Sequence, residues 1–219
     1  MIKKNDFVEL QFTGQVKGGE IFDTNIKKEA EKINLQIEER PFAVCVGQEM
    51  VIKGLDNALE EKEIGKEYSI ELSSKEAFGE RKKDLVKLMP IKLFQDKNIN
   101  IRPGMTLSLD NYLVKIVSVS GGRVLVDFNN PLAGKDIIYN FTITKKVEDI
   151  GEKANTILEF FLRQKLEVKI NEEEKKIIIT GEKFFEPIIK LLNDKFKDIL
   201  GYEMVLAEKK VEVEKNKSN

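Results

Sequence analysis

Few side chains in this sequence could perform acid–base, nucleophilic or metal chemistry. Its 219 residues include no histidine and a single cysteine, Cys45. Without histidine, Ser-His-Asp and Cys-His catalysis are excluded, and with one cysteine so are structural zinc and most transition-metal sites. We therefore expect no metal and no cofactor. Any chemistry must use carboxylates, lysine, tyrosine, backbone groups or an apolar pocket alone.

The aromatic residues have the most informative placement. Taken singly, Phe12, Phe22 and Phe42 would be core residues and Asp23 a turn carboxylate, because aromatic side chains are commonly buried. Their joint order and spacing point elsewhere. The blocks that carry the pattern are Val8–Gly14 with Ile21-Phe22-Asp23, Pro41-Phe42, Val46–Leu55, Ala77-Phe78-Gly79 and Pro131–Lys135.

With these blocks, residues 2–147 resemble the FKBP family of peptidyl-prolyl cis-trans isomerases, in particular its SlyD-like branch. The region that follows resembles, less closely, the extra C-terminal domain of long-type archaeal FKBPs. The resemblance implies an α+β fold. Its parts would be an antiparallel half-barrel around a short helix, an inserted β-rich flap domain and a C-terminal α-β-β-α-β domain.

The resemblance also implies a pocket for an X-Pro peptide bond. Its catalytic positions fall on Phe12, Phe22, Asp23, Phe42, Val51, Ile52, Leu55, Phe78 and Tyr139, and adjoining substrate-binding positions fall on Ala77, Asn130 and Leu132. In the family, the backbone N–H at the Ile52 position binds the carbonyl before proline. Leu55, Phe78 and Asn130 depart from the usual Trp, Tyr and His. We therefore expect a working but slower isomerase that binds macrolide inhibitors poorly.

Residue patterns divide the chain into elements. Alternation of apolar and polar side chains predicts strands at 7–12, 20–24, 42–46, 66–72, 105–109, 112–119, 124–128, 137–145, 166–170, 177–179 and 202–207. Helical spacing predicts helices over 50–59, 154–162 and 184–199. Residues 25–40 are compatible with a helix or an ordered excursion, and the segment around Pro90 is an apolar cluster without a predicted element.

A shift in composition near residue 82 indicates where the insert begins. The predicted domains are an isomerase domain at 1–84 and 130–147, an insert at 85–129, a C-terminal α+β domain at 148–208 and a charged tail at 209–219. The insert carries the apolar residues Val86, Leu88, Met89, Ile91, Leu93 and Phe94. We expect Leu88, Met89 and Phe94 to bind unfolded chains, because exposed apolar patches mark interaction sites. The alternative is that they pack the insert's own small core.

Charge and hydropathy limit the partners. Lys+Arg is 37 and Asp+Glu is 38, which gives a net charge of -1, so we expect no nucleic acid and no membrane as partner. No run approaches the roughly 20 apolar residues of a membrane span. The lone Cys45 and the start MIKKNDFVELQF, which has no apolar signal region, suit a reducing cytoplasm.

The C-terminal region contains adjacent aromatic pairs, Phe160-Phe161 and Phe184-Phe185. Neighbouring helical residues point about 100° apart, so both members of a pair cannot enter one small core. We expect the surplus face to form a homodimer; the alternative is that it packs on the body of the same chain.

The predicted function is that of a cytoplasmic prolyl isomerase and folding chaperone. Its partners would be unfolded or partly folded polypeptides that contain X-Pro bonds. The alternative is a holdase-type chaperone or binding module with a vestigial pocket, and a third possibility is a scaffold built around the C-terminal domain.

Overall fold

The computed structural model describes residues 1–37, 41–96, 98–109 and 111–208. Within these ranges the strands are β1 Phe7–Val16, β2 Ile21–Thr24, β3 Phe42–Cys45, β4 Glu67–Leu72, β5 Val86–Pro90, β6 Thr106–Leu109, β7 Tyr112–Ser120, β8 Arg123–Asp127, β9 Ile137–Val147, β10 Glu167–Asn171, β11 Lys176–Gly181 and β12 Glu203–Glu208. The helices are α1 Lys27–Lys32, α2 Lys53–Leu59, α3 Lys92–Gln95, α4 Ile150–Leu162 and α5 Glu186–Leu200.

The main sheet has the order β2-β1-β9-β4, and β3 pairs with the first half of β1. All of these pairings are antiparallel. Strand β1 alternates as the sequence predicts: Leu10 and Phe12 are buried on one face, whereas Gln11 is exposed on the other. The buried face of this sheet is where the site residues lie.

Helix α2 packs against the main sheet through Leu55 and Leu59, which are fully buried. The close approach depends on Gly54. A Cβ atom at this position would lie 2.6 Å from Leu72 Cδ2 and 3.0 Å from the carbonyl oxygen of Glu76. Only glycine therefore allows the helix to come this near to the end of β4.

The insert forms a second, four-stranded sheet in the order β5-β8-β7-β6. Its apolar core is separate from that of the main sheet and consists of Phe94, Leu109, Val114, Ile116, Val124 and Val126. Phe94 comes from α3, the short helix after β5. The insert is thus held together by contacts of its own.

The C-terminal region follows the predicted α-β-β-α-β order, with α4 and α5 beside the sheet β10-β11-β12. Asp149 begins α4, because its carboxylate accepts a hydrogen bond from the Glu152 N–H at 2.8 Å. Buried residues of α4 and α5 belong to the same apolar core as the main sheet. The Lys195 ammonium also donates to the Gln48 carbonyl oxygen at 3.3 Å. The region therefore packs on the body of its own chain.

The predicted α+β class and the order of its parts are confirmed. Three details differ. The apolar segment at Pro90 forms the edge strand β5, where the missing proline N–H is tolerated. Helix α2 starts at Lys53 rather than near Met50. The 25–40 segment contains the short helix α1. The tail at 209–219 lies outside the described residues. None of the described helices is long and apolar enough to cross a membrane.

Candidate active site

Five aromatic side chains that the sequence singled out lie in contact in the structure, and we call them the aromatic cluster: Phe12, Phe22, Phe42, Phe78 and Tyr139. Their ring centroids form a connected series. Phe42 is 5.3 Å from Phe12, and Phe12 is 6.1 Å from Tyr139. Tyr139 is 5.9 Å from Phe22, which is 5.5 Å from Phe78. Most of these pairs meet edge to face, the arrangement that aromatic quadrupoles favour.

Strand register explains why these rings meet. Leu10 is paired with Phe42, so Phe42 shares the buried face of β1 with Phe12. Tyr139 is opposite Gly14, two residues along the same face from Phe12. Phe22 and Asp23 arrive on β2, the edge strand beside β1. The pairing of β1 with β2 shifts between Gly14 and Gln15, so Phe22 is the unpaired residue of a bulge rather than part of the regular alternation. The pleat of β1, β3 and β9 and this bulge in β2 thus bring four of the rings together, and Phe78 joins them from the loop after β4.

The segment before α2 carries Val51 and Ile52, both half-buried against the main core. Its shape is fixed by Asp56, which sequence reasoning missed. The Asp56 carboxylate is buried and accepts hydrogen bonds from the backbone N–H groups of Gly47 and Glu49, each at 2.8 Å. Among the described residues, the Ile52 N–H donates to no protein acceptor. It is available to bind a ligand carbonyl.

The loop after β4 supplies Ala77 and Phe78, which are half-buried and pack against the main core. It is closed by local hydrogen bonds, from the Ala77 N–H to the Ser73 carbonyl at 3.0 Å and from the Gly79 N–H to the Ser74 carbonyl at 2.7 Å. Leu55 lies deeper, almost fully buried in the same core. These residues surround the aromatic cluster with apolar surface.

Two polar residues lie at this apolar surface: Asp23, which is exposed at its edge, and Tyr139, which is buried. Partial burial raises the pKa of the Asp23 carboxyl, and a hydrogen bond from the Thr24 N–H offsets only part of the increase. Burial also raises the pKa of the Tyr139 phenol, and the nearby charge of Asp23 raises it further. Tyr139 therefore keeps its proton and remains a hydrogen-bond donor.

Asn130 and Leu132 lie on the segment that returns from the insert. The Asn130 side-chain oxygen accepts the Leu132 N–H at 2.8 Å, so Asn130 closes a turn. It lines a groove of about 580 Å³ between β7 and residues 127–135. Asn130 thus lies at the junction of the insert and the body. Its role in binding substrate stays a prediction.

Asn129 and Asp127 hold this junction together, and neither was identified from the sequence. Asn129 is buried; its side-chain oxygen accepts the Lys82 N–H at 2.8 Å, and its amide donates to the Lys82 carbonyl at 2.9 Å. Asp127 forms an ion pair with Arg81 at 2.7 Å. These bonds fasten the outgoing and returning chain segments to each other.

The three insert residues predicted to bind substrate have different surroundings. Leu88 is exposed, at 56% of its surface, on the sheet face opposite the insert core, since it is paired with Leu125 rather than with Val124 or Val126. Met89 is partly buried against that core. Phe94 is fully buried within it, so the expectation that Phe94 contacts clients is corrected. Further exposed apolar residues of the insert are Leu93, Met105, Tyr112, Leu113 and Val117.

Two protein-family models match this chain. A model of "FKBP-type peptidyl-prolyl cis-trans isomerase" matches residues 1–109, and a model of the "FKBP26, IF domain" matches residues 87–132. The short-type peptidyl-prolyl cis-trans isomerase of Methanocaldococcus jannaschii is 31% identical over 153 residues, which are 68% of this chain and 94% of that protein. The chain belongs to the FKBP family of peptidyl-prolyl cis-trans isomerases.

More distant FKBP relatives include the isomerase SlyD of Vibrio cholerae, which is 26% identical over 146 residues, 65% of this chain and 67% of that protein. A crystal structure of the three FKBP domains of wheat FKBP73 aligns with a TM-score of 0.36 and 16% identity, over 67% of this chain and 40% of that one. As a member of the family, the protein is an enzyme of the FKBP isomerase type and resembles its SlyD-like branch.

The thiol of Cys45 is not a second reactive group in this FKBP chain. Cys45 is buried, and burial with the charge of Asp56 raises the pKa of its thiol to about 12, so it is not a nucleophile at neutral pH. Among the described residues, no three His, Cys, Asp or Glu side chains come together as metal ligands would. The aromatic cluster with Asp23 and Tyr139 is the candidate active site.

Proposed function

We propose that the aromatic cluster, with Val51, Ile52, Leu55 and Ala77 around it, is the site at which this isomerase accelerates rotation about X-Pro bonds. The observation that carries the proposal is the unbroken series of four contacts that joins the five rings. The barrier to rotation is roughly 18–20 kcal/mol because the planar amide is stabilised by resonance. The planar amide is also more dipolar than the twisted one. A dry aromatic surface therefore favours the twisted state relative to the planar one.

In this proposal the protein positions the substrate and forms no covalent bond with it. The Ile52 N–H, held in place by Asp56 through the preceding segment, binds the carbonyl before proline. The proline ring contacts Phe12, Phe42 and Tyr139. Phe22 and Phe78 complete the wall on the side of Asp23. No proton transfer is needed, which agrees with the absence of histidine.

A protease-coupled assay on an Ala-Leu-Pro-Phe peptide tests the proposal. Phe78→Ala removes one ring of the cluster and should lower kcat/KM about tenfold, since a lost ring contact costs on the order of 1 kcal/mol or more. Phe161→Ala is the matched control, because it removes ring contacts with Phe160 and Phe196 in the C-terminal region and none with the cluster. Full activity in a folded Phe78→Ala variant would refute the site assignment.

We also propose that the insert binds unfolded clients and presents them to the isomerase site. Support comes from its exposed apolar residues, among them Leu88 and, at 64% exposure, Tyr112. A client held there would be at high local concentration near the aromatic cluster. The insert could be removed cleanly, since the Gly134 N–H donates to the Gly79 carbonyl at 2.8 Å and brings both ends together.

Replacing residues 81–131 by a short loop separates this proposal from its alternative. We expect turnover of a short peptide to persist while catalysed refolding of a proline-limited protein slows markedly. Equal loss on both substrates would mean that the insert is only structural. The alternative is a holdase with a vestigial pocket, which the same exposed residues would also favour. In that case the intact protein would prevent aggregation of unfolded clients but would not isomerise a short peptide.

We further propose that α5 forms the contact of a homodimer. Ile188 and Leu191 lie on one face of α5, Phe184 lies in the short 3-10 turn just before the helix, and all three are exposed. A two-fold axis through this face would bury it against its copy. Leu191→Glu should then yield monomers in light scattering, whereas Ile64→Glu, at a comparably exposed residue of the body, should not. A monomeric wild-type protein at micromolar concentration would refute the dimer.

We also propose that the protein is cytoplasmic, because thiols stay reduced in the cytoplasm and a lone buried thiol needs no disulfide partner there.

A further inference from the structure

Asp23, Gly14 and Tyr139 form a row across three adjacent strands. Gly14 on β1 is directly opposite Asp23 on β2 and, on its other side, directly opposite Tyr139 on β9. Directly opposite residues in antiparallel strands point to the same face. The carboxylate and the phenol therefore stand on one face of the sheet, with a residue that lacks a side chain between them.

The Tyr139 ring occupies the space that a side chain at Gly14 would fill. A Cβ atom on Gly14 would lie 2.9 Å from Tyr139 Cε1 and 3.0 Å from Tyr139 Cζ, the carbon that carries the hydroxyl. It would also lie 2.8 Å from Phe22 Cζ. The hydroxyl end of the phenol thus leans across β1 towards the strand of Asp23.

This hydroxyl has no protein partner among the described residues, although Tyr139 as a whole is only 4% exposed. In the described part of the chain, every fully buried side-chain nitrogen or oxygen atom has a hydrogen-bond partner. Because the Tyr139 hydroxyl has none, it must be accessible to solvent or to a ligand. Asp23 is near enough for its charge to act on the phenol, but the two do not form a hydrogen bond. A free donor therefore faces the space beside the aromatic cluster.

Amide chemistry decides which substrate atom such a donor can assist. In the planar amide the nitrogen lone pair is delocalised into the carbonyl. Rotation about the C–N bond returns the lone pair to nitrogen, which then becomes a hydrogen-bond acceptor. A donor to the carbonyl oxygen, as proposed for the Ile52 N–H, anchors the substrate but favours the planar state and does not itself lower the barrier. A donor to the nitrogen is bonded only in the transition state and therefore speeds rotation.

We propose that Tyr139 is a catalytic residue whose hydroxyl donates a hydrogen bond to the proline nitrogen as the X-Pro bond twists. This inference rests on the site proposed above. Gly14 makes this possible by leaving room for the ring. The negative charge of Asp23 favours the protonated phenol, so the donor is present. No covalent bond forms or breaks, and the hydroxyl proton stays on oxygen.

Tyr139→Phe tests the inference, because it removes the hydroxyl and keeps the ring. NMR exchange spectroscopy on an X-Pro peptide titrated with enzyme gives kcat and KM separately. We expect kcat to fall about tenfold, the size expected of one neutral hydrogen bond, with KM changed less than twofold. Tyr68→Phe is the matched control. The Tyr68 hydroxyl lies outside the cluster, where it accepts a hydrogen bond of 2.9 Å from the Glu63 N–H. This variant should retain wild-type kcat.

Every other outcome overturns the inference. An unchanged kcat with a raised KM would mean that the hydroxyl binds the planar substrate, and a raised kcat would mean that it donates to the carbonyl oxygen. An inactive wild-type enzyme would refute the proposed site as well, whereas an active wild type with an equally active Tyr139→Phe refutes only this step. If Tyr139→Phe unfolds, the wild-type ¹³Cζ resonance of Tyr139 must shift when peptide binds, and that of Tyr68 must not.

Discussion

Asp56 offers a direct test of how the segment before α2 is positioned. Its carboxylate accepts two backbone N–H groups, from Gly47 and Glu49, at 2.8 Å each. Hydrogen bonds to a charged group contribute about 1.5–3 kcal/mol each. Loss of both would therefore cost roughly 3–6 kcal/mol, which is a large part of the stability of a typical domain.

Asp56→Asn is the more informative change because it keeps one carbonyl oxygen and the volume of the side chain. One N–H then loses its acceptor, and we expect unfolding in urea to become about 2–3 kcal/mol easier. The Ile52 N–H would also lose its fixed position. Because misplacement by about 1 Å can cost up to 100-fold in rate, kcat/KM on a short X-Pro peptide should fall at least tenfold.

The neighbouring exposed residue provides the control. Asn57→Ala changes the next position of the same helix and should alter neither stability nor kcat/KM appreciably. Wild-type urea stability together with wild-type kcat/KM in Asp56→Asn would refute the reasoning. A loss of stability with unchanged kcat/KM would separate the structural role from the positioning of Ile52.

Three further predictions concern packing and charge. Gly14→Ala places a Cβ against two rings of the aromatic cluster. We expect it to lower the free energy of unfolding in urea by about 1–3 kcal/mol and to lower isomerase activity. Unchanged stability and activity would show that the rings can move aside. The Cys45 thiol, with its pKa raised to about 12, should resist maleimide at pH 8 until the protein is unfolded, so rapid labelling of the native protein would contradict its burial. Although burial opposes it, hydrogen bonds from Asn129 and Arg81 lower the pKa of Asp127. Its stabilising contribution should be complete above the unfolded pKa of about 3.9 and be lost as pH falls through the lower folded value. Wild type should lose more urea stability than Asp127→Asn on acidification from pH 7 to pH 3, and parallel curves would contradict this.

Much of the main sheet could be predicted because its strands have one buried and one exposed face. Strand β1 shows this alternation, and so does the segment that becomes β4. Strand β5 could not be recognised in this way, because Leu88 and Met89 are adjacent apolar residues and Pro90 argues against a strand. The surroundings of Phe94 were also beyond prediction, since an apolar run does not reveal which members face the core.

The aromatic members of the candidate site were predicted from the resemblance to the FKBP family that their joint order and spacing carry, whereas the polar residues that support the cluster were not. Asp56 and Asn129 act by bonding backbone groups of distant segments, and such pairing leaves no periodic pattern in the sequence. A weak signal does exist for Asp56: a carboxylate beside Leu55 and three residues before Leu59, on an apolar helix face, needs buried donors. Packing of the C-terminal region on the body likewise depends on tertiary contacts alone.

The position of β9 has a consequence for how the chain acquires its structure during synthesis. Strand β9 lies between β1 and β4 in the main sheet, but it follows the whole insert in the chain. Until residue 147 has emerged from the ribosome, β1 and β4 have no strand to join them. The insert makes mostly local pairings and has a separate core, so it can fold first, because local contacts form faster than distant ones. The surface that we propose binds clients can thus be ready before the catalytic domain that carries it is complete.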